Sequence, residues 1–242
     1  MMTPHQNEPS VDRSAETRSR ILEAALTEFA AHGLAGARTE QIATVAGVNK
    51  ALLYYYFASK EKLYAAALES ISERVRDRSM AVFLREASPG ERVLRSSLDH
   101  FDRMLTEHEF HSLMHQEMIR MHNGEDGLLP VLAKRIFAPL HERFQALMRE
   151  GVASGELIDA DWLQVVLASV GGNVFYFLSA PMWRITESFE PLDAEVLRAR
   201  RVSSIQFLSQ ALFQDRKRGA ELAAKVLADT PMPEPGDFKC LR

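Results

Sequence analysis

The sequence predicts an all-α fold, and three observations support this. Apolar residues recur at three- and four-residue spacing along most of the chain, which is the period of one face of a helix. No Asn-Gly or Asp-Gly dipeptide is flanked by alternating β-branched runs, as in a tight β-hairpin. Glycines and prolines separate the periodic segments. With 242 residues, 46% of them hydrophobic, the chain can bury one large or two modest cores.

The charge distribution argues against a protein that simply coats nucleic acid. The formal net charge is −4, yet residues 10–64 carry seven Lys and Arg against six Asp and Glu, so the acidic excess lies elsewhere. No apolar run reaches the roughly 20 residues that span a bilayer, and no signal-peptide core is found. The single cysteine, Cys240, cannot form an internal disulfide. We therefore expect a cytoplasmic protein without a membrane segment or disulfides.

The chain is predicted to begin with a disordered lead-in and a first helix. Residues 1–13 are polar, contain two prolines and lack periodicity, which is typical of disorder. The first helix is expected over residues 15–32, and Gly33 is expected to end it. Its buried stripe is predicted to be Ile21, Leu22, Ala25, Leu26 and Phe29.

Residues 39–57, TEQIATVAGVNKALLYYYF, predict two short helices joined by a glycine turn. Gly47 stands where a helix ends in a left-handed residue, and Asn49 is a suitable N-cap for the second helix. The inner positions are Ile42, Ala43 and Ala46 in the first helix and Leu53, Tyr56 and Phe57 in the second. The outward positions of the second helix are Lys50, Ala51, Leu52, Tyr54 and Tyr55. An outward face with one cation, small groups and phenol hydroxyls suits a DNA groove.

Further helices are predicted along the rest of the chain. Ser59 caps a long helix whose apolar seam joins the N-terminal segment to the body. The later helices are expected over residues 92–105, 110–121, 131–152 with a kink at Pro139, a strongly apolar stretch from Asp159 or Asp161 to Pro181, and a last long helix that starts between Pro191 and Asp193. From Asp215 a loose tail is expected, with a short helix over residues 220–227.

Two segments resemble a known family. They are TRSRILEAALTEFAAHG, residues 17–33, and IATVAGVNKALLYYYFASKEKLYAAAL, residues 42–68. Together they are similar to the N-terminal domain of the tetracycline-repressor (TetR) family of transcriptional regulators. The resemblance implies a helix-turn-helix DNA-binding domain over residues 14–74, with the motif at about 38–57. It also implies an effector-binding and dimerisation domain over residues 75–214, followed by a tail over residues 215–242.

The resemblance implies a set of DNA-contacting residues. Lys60 is expected to neutralise a phosphate, and Lys50 to contact guanine or, alternatively, the backbone. Thr39 is expected either to cap its helix or to contact a phosphate. The chain departs from the family's commonest form at Arg38 and Leu52, which leaves the operator sequence open. The full predicted set is Arg38, Thr39, Asn49, Lys50, Ala51, Leu52, Tyr54, Tyr55 and Lys60.

The family's helical body implies a homodimer, an effector pocket and an operator of palindromic double-stranded DNA. One recognition helix reads too few base pairs, whereas a two-fold dimer reaches major grooves about 34 Å apart. The predicted interface is Leu163, Val166, Val170, Gly171, Val174, Val202, Ile205, Leu208 and Leu212, although both helices could instead close the monomer core. The predicted lining of a pocket for an unidentified small molecule is Phe101, Met104, Met114, Met118, Phe137, Phe144 and Phe175.

The favoured function is therefore a repressor that a small molecule releases from its operator. A DNA-binding activator, or a regulator without an effector, shares the same residues. An enzyme using a metal is the less favoured alternative: His111 and His115 have the spacing of a bidentate site. His122 lies about 10 Å further along the helix axis, so a third ligand is missing. We expect no catalytic residues, no metal and no cofactor.

Overall fold

The computed structural model describes residues 9–186 and 190–239, and it is helical almost throughout. No strand occurs in these two ranges, where one isolated bridge pairs Leu157 with Phe213. The helices are α1 Pro9–Gly36, α2 Thr39–Val45, α3 Lys50–Phe57, α4 Lys60–Phe83, α5 Pro89–Thr106, α6 His108–His122, α7 Leu129–Leu132, α8 Ala138–Ala153, α9 Trp162–Val166, α10 Gly172–Leu178, α11 Ala180–Thr186, α12 Ala194–Leu212 and α13 Arg216–Asp229. The predicted all-α class is confirmed.

Two helices differ from their predicted starts and ends. Helix α1 begins at Pro9, so the predicted disordered lead-in is wrong for residues 9–13; residues 1–8 and Cys240 lie outside the described residues. Gly33 interrupts α1 with φ 67° and ψ 175°, a conformation open to glycine, and a further turn follows to Gly36. The short helix expected over residues 220–227 of the tail is observed as the longer α13, Arg216–Asp229, with Leu222 and Val226 buried.

Two π-helical turns lie within the long helical stretches of the body. One, Ala133–Phe137, joins α7 to α8, and Pro139 follows it in the first turn of α8. The helix type therefore changes just before Pro139, the position of the predicted kink. The other π turn, Leu167–Gly171, joins α9 to α10, and Asp161 caps α9 by accepting a bond from the Leu163 amide at 3.0 Å. Each π turn inserts one residue and so shifts the faces that follow it.

The chain divides into two units. The N-terminal unit contains the chain up to Arg74 together with Glu109–Ala133, and the second unit contains Val75–His108 and the chain from Lys134 onward. The domain ranges predicted from sequence place segment 109–133 in the effector domain. This segment groups with the N-terminal unit because its side chains bond to α1: Ser112 Oγ donates to the Ala30 carbonyl at 2.8 Å, and Gln116 Nε2 donates to the same oxygen at 3.1 Å.

The core of the N-terminal unit includes the predicted stripe of α1. Ile21 and Phe29 are fully buried there, and the ring of Phe29 meets that of Tyr64 edge to face at 5.0 Å between centroids. Other buried side chains of this unit are Leu22, Ala25, Leu26, Ile42, Ala43, Leu53, Phe57, Leu63, Leu68 and Leu113. Apolar stripes of α1–α4 and α6 therefore supply this core, which fixes α2 and α3.

A buried carboxylate connects several elements of the N-terminal unit. Glu117 on α6 is 0% exposed and accepts bonds from the Tyr64 hydroxyl at 2.8 Å, from Arg120 at 2.8 Å and from the Leu128 amide at 2.6 Å. Burial, and then the Glu117 carboxylate, raise the pKa of Tyr64, so its hydroxyl remains a donor. Glu117 thereby links α4, α6 and the loop before α7.

The second unit has its main core among α5, α8, α12 and α13. Its buried members include Val93, Leu94, Leu98, Phe144, Leu147, Met148, Ile205, Leu208, Leu212, Leu222 and Val226. Gly219 is required where α13 crosses α12, because a Cβ there would lie 2.7 Å from the Ser209 carbonyl oxygen. A buried ion pair joins α12 to α5: Arg201 donates to both carboxylate oxygens of Asp102, at 2.7 and 2.9 Å.

Within the described residues, no single helix is both long enough and apolar enough to cross a bilayer. The pair Trp162–Leu178 and Ala180–Thr186 meets these two criteria together, with a bend of 63° between its members.

Candidate nucleic-acid interface

Local chemistry sets the turn between α2 and α3. Gly47 has φ 67°, and its amide bonds to the Thr44 carbonyl at 3.1 Å. The Val48 amide bonds to the Ala43 carbonyl at 2.9 Å, which closes the end of α2. Asn49 then caps α3, its Oδ1 accepting a bond from the Leu52 amide at 2.8 Å. The predicted glycine turn and cap are both observed, and together they fix the direction of α3.

Helix α3 has a buried side and an outward side. Leu53 and Phe57 are buried as predicted, whereas Tyr56 is only half-buried and its hydroxyl pairs with Ser14 Oγ at 3.1 Å. On the other side Lys50 and Ala51 are exposed, and Tyr55 is 82% exposed. Leu52 and Tyr54 are half-buried at the edge. The outward side therefore presents a cation, a methyl group and a phenol to the surroundings.

Lys50 has a partner that sequence reasoning missed. Its Nζ donates to the carboxylate of Glu40, on the first turn of α2, and lies 5.9 Å from the centroid of the Tyr54 ring. The hydrogen bond with Glu40 raises the pKa of Lys50, and the same bond lowers the pKa of Glu40. The sequence contained one signal for this pair, the helix-turn-helix motif, because its turn brings the first residues of α2 and α3 together.

Thr39 is buried and does not cap α2. The N-cap position belongs to Arg38, whose side chain makes no capping bond, so the predicted capping role of Thr39 is wrong. Thr39 Oγ1 instead pairs with the Tyr54 hydroxyl at 3.3 Å, which ties α2 to α3. Glu28 of α1 accepts a bond from the Arg38 amide at 2.9 Å, and the Arg38 side chain is exposed. Glu28 was also missed, because its role depends on tertiary contact.

Lys60 lies in the first turn of α4. Its Nζ donates to the Ala35 carbonyl at 3.0 Å, at the end of α1, and the residue is half-buried. An ammonium has three donors, so two remain for an anion. Ser59 accepts a bond from the Lys62 amide at 3.2 Å, in agreement with its predicted capping role.

The predicted effector residues are divided between the two units and, within the second unit, between separate buried clusters. Met114 and Met118 belong to the N-terminal unit, where Met118 is 50% exposed. In the second unit Phe101 and Phe144 belong to separate buried clusters, and Phe175 is 58% exposed. Met104 is buried on α5, and Phe137 is half-buried in a π turn. A cleft of about 400 Å³ beside Ser88 and Glu156 includes none of these residues.

The predicted dimer residues separate into two groups. Ile205, Leu208 and Leu212 are wrong as interface residues, because they are buried in the core of the second unit. Leu163 is exposed, and Val166, Val170, Gly171, Val174 and Val202 are partly exposed. The same side of α9–α10 also exposes Leu167, Phe175 and Leu178, and α12 exposes Phe207.

Among the described residues, the three candidate histidines of α6 are not grouped with other possible metal ligands. His115 and His122 are exposed on α6, and His111 is partly buried. Across residues 9–186 and 190–239, no group of three or more His, Cys, Asp or Glu side chains is arranged to hold a metal ion.

At the level of sequence, the match to a known family lies near the N-terminal end of the chain. Residues 21–67 match the family described as "Bacterial regulatory proteins, tetR family". The HTH-type transcriptional repressor SCO4008 of Streptomyces coelicolor is 53% identical over 53 residues, which is 22% of this chain and 28% of the relative. The HTH-type transcriptional repressor NicS of Pseudomonas putida is 51% identical over 55 residues, 23% of this chain and 26% of the relative. The matches thus span about a quarter of these relatives.

Solved structures resemble the chain over most of its length. A gamma-butyrolactone receptor (ArpA-like protein) has a TM-score of 0.60 at 22% identity, covering 90% of this chain and 100% of that one. A transcriptional regulator of the TetR/AcrR family from Thermobifida fusca has a TM-score of 0.54 at 23% identity, covering 81% of this chain and 96% of that one. At these identities the likeness shows the fold.

Proposed function

We propose that this chain is a transcriptional repressor of the tetR family of bacterial regulatory proteins, released from its operator by a small molecule; the family match over residues 21–67 supports this proposal. Its DNA partner would be a palindromic duplex, which it meets in the cytoplasm as a homodimer. Repression rather than activation is favoured because SCO4008 and NicS, which share about half of their residues with this chain in the matched segment, are named repressors.

One observation carries the DNA-binding proposal: α3 is anchored on one side and exposed on the other. Leu53 and Phe57 fix the helix in the core, while Lys50, Ala51 and Tyr55 face outward. A helix of this kind can enter a major groove and bring its N-terminal side chains to base edges. Lys50 would exchange Glu40 for a guanine or a phosphate, and Lys60 would give its remaining donors to a phosphate.

Lysine variants test this docking. The duplex is selected from random-sequence DNA with the parent protein, and dissociation constants are then measured at several salt concentrations. Lys60→Ala should weaken binding to every duplex and reduce the slope of log K against log salt by about 1. Lys50→Ala should change the preference at one operator position by about 1–3 kcal/mol. Lys217→Ala, an exposed lysine of α13, is the control; if both test variants bind like this control, the docking is refuted.

We also propose a dimer interface that differs from the one expected from sequence. Leu163, Leu167, Gly171 and Phe175 follow one another at four-residue steps, and Leu178 continues their stripe. The exposed Phe207 of α12 would extend the same surface. Exposed apolar stripes of this length are typical of protein–protein contacts, and two copies of one stripe can pair about a two-fold axis.

The effector proposal depends on linkage between two binding events. A small molecule releases DNA only if it binds the released arrangement more tightly, and a coupling of about 1–3 kcal/mol changes affinity roughly 5- to 150-fold. The fold shared with a gamma-butyrolactone receptor supports a small-molecule site. No chemical step is required of the protein, so we propose no catalytic residue.

A further inference from the structure

Segment 230–239 places one aromatic side chain in the interior of the second unit. Phe238 is 2% exposed and belongs to a buried cluster with Phe101, Leu105 and Leu197. Partly buried side chains, among them Tyr176, Phe177 and Met232, pack against this cluster. Phe238 thus fills a space whose walls are supplied by α5, α10 and α12.

Hydrogen bonds hold segment 230–239 near its two ends. At its start Arg201 donates to the Thr230 carbonyl at 2.9 Å and Arg95 donates to the Thr230 hydroxyl at 3.3 Å, and at its end the Lys239 amide donates to the Leu105 carbonyl at 2.8 Å. Between these bonds Pro231 and residues 234–237 are exposed, and the backbone has only the short 3₁₀ turn Pro235–Asp237. The burial of Phe238 offsets part of the entropy lost on ordering the segment. Such a segment can open locally while α5 and α12 stay folded.

The walls around Phe238 suit a planar, uncharged ring. The ring of Phe101 lies 5.8 Å from that of Phe177, which in turn meets Tyr176 edge to face at 5.6 Å. The Tyr176 hydroxyl already donates to the Pro191 carbonyl at 2.6 Å. Aromatic walls whose hydroxyl is already bonded favour edge-to-face ring contacts over the binding of a charged group.

We propose that the space filled by Phe238 is a binding site for a small planar aromatic molecule, and that Phe238 competes with this molecule for the site. The ligand would enter when segment 230–239 opens, and it would replace the phenyl ring with its own. Because the site is accessible only in the open form, the apparent affinity of the parent protein is lowered by the fraction of molecules that are open.

Hydrogen exchange of the full chain tests the competition directly. The Lys239 amide reports on the segment, because its bond to the Leu105 carbonyl is lost on opening. With indole as the probe, exchange at Lys239 should accelerate in proportion to site occupancy, while amides in the middle of α5 remain protected. Bound indole that leaves Lys239 exchange unchanged would overturn the proposal.

Calorimetric titration of variants with indole provides a second measurement. Phe238→Ala empties the site and should bind indole about 10- to 100-fold more tightly than the parent, as expected if the open form is populated at roughly 1–10%. Lys239→Pro keeps Phe238 but removes the amide donor to the Leu105 carbonyl, so it should also bind indole more tightly than the parent. This second variant keeps the test decisive if Phe238→Ala fails to fold. Leu84→Ala removes an exposed apolar side chain outside both this site and the proposed dimer interface, and it should bind like the parent.

Two outcomes of the titration would refute the site. One is equal indole affinity in the parent, Phe238→Ala and Lys239→Pro. The other is an equal gain in affinity of the two variants for hexanol, a flexible apolar probe of similar size. That result would contradict the proposal that the ligand is a planar aromatic molecule. Neither measurement includes DNA. The consequence for repression rests on the proposed function and is tested separately, by adding indole to the operator complex of Phe238→Ala; retained DNA would refute only that consequence.

Discussion

At the scale of single residues, Lys50 and Glu40 illustrate what a side chain's neighbour contributes. Lys50 could be selected from sequence, because it stands at the first position of the outward helix. Its bond to Glu40 depends on the turn between α2 and α3. A carboxylate beside a cation that is proposed to contact DNA would repel phosphates, so it would weaken binding to any duplex that offers Lys50 no better partner. Glu40 is therefore expected to increase discrimination among DNA sequences.

The substitution Glu40→Gln tests that role. It removes a negative charge and frees Lys50, so binding to a scrambled duplex should tighten several-fold more than binding to the operator. The measurement is the ratio of the two dissociation constants at fixed salt. Glu23→Gln, an exposed carboxylate of α1, is the matched control. An unchanged ratio in Glu40→Gln would show that the pair has no part in discrimination.

Tyr64 and Glu117 give a second prediction at residue scale. Tyr64→Phe removes a donor from a carboxylate that is fully buried, and the free energy of unfolding should fall by about 1–3 kcal/mol. Chemical denaturation measures the loss. Tyr55→Phe removes a hydroxyl from a side chain that is 82% exposed and should change stability by less than about 0.5 kcal/mol. Equal effects of the two substitutions would contradict the proposed importance of the buried bond.

At the scale of helices, local signals could be predicted and tertiary ones could not. The glycine turn at Gly47 and the cap at Asn49 depend on neighbouring residues, and both were predicted correctly. The grouping of residues 109–133 with the N-terminal unit depends on bonds from Ser112 and Gln116 to the Ala30 carbonyl, which spacing along the chain does not reveal. The site was predictable to the same extent: the outward residues of α3 were found, and Glu40 was not.

Helix α12 shows why its buried side was predicted to form the dimer interface although it lies in the core of the second unit. It carries apolar residues on more than one side, with Leu208 in the core and the adjacent Phe207 65% exposed. Apolar periodicity identifies a buried stripe but does not say whether the same chain or another copy covers it. Leu208 packs within the second unit, whereas the exposed Phe207 is available to a partner.

The ion pair between α5 and α12 gives a prediction at this scale. Arg201→Met leaves Asp102 buried without its partner, and the free energy of unfolding should fall by about 3–5 kcal/mol at neutral pH. The double variant Asp102→Leu/Arg201→Met should lose less than the single one, because no buried charge remains. Thermal or chemical denaturation measures both. A double variant less stable than Arg201→Met would contradict this account.

The stability loss in Arg201→Met should also depend on pH. Burial raises the pKa of Asp102, and Arg201 opposes that rise. Without Arg201 the pKa of Asp102 in the folded state rises further. The free energy of unfolding of the variant therefore falls as the pH increases from the unfolded-state pKa of Asp102 to its folded-state pKa. Once the carboxyl is protonated in both proteins, the charge-dependent part of their difference disappears. Denaturation across a pH series should therefore show the gap narrowing toward acid; a constant gap would refute the role of the charge.

At the scale of the whole molecule, the proposed function requires two copies of the chain. The stripe from Leu163 to Leu178 is apolar and exposed, and it includes Gly171, where an added Cβ would meet no described atom within 4 Å. The packing of the single chain therefore does not require glycine at this position. A close approach of a second helix would require it, as small residues permit helices to pack near each other.

Gly171→Leu tests the dimer without emptying the core. The added side chain is accommodated by the isolated chain but obstructs a helix packed against the stripe, so the dimer should dissociate while the helical signal by circular dichroism is retained. Sedimentation measures the mass. Leu84→Ala, which removes an exposed apolar side chain outside the stripe, is the control. A Gly171→Leu protein that remains fully dimeric would move the interface elsewhere.

The two-sided construction of α3 has a consequence for how such a regulator can change its target. Leu53 and Phe57 secure the helix, whereas Lys50, Ala51 and Tyr55 make little contact with the interior. Replacements at the second set should cost little folding stability, since exposed substitutions usually change it by less than about 0.5 kcal/mol. New operator preferences can therefore accumulate by mutation at these three positions while the scaffold that presents them is inherited intact.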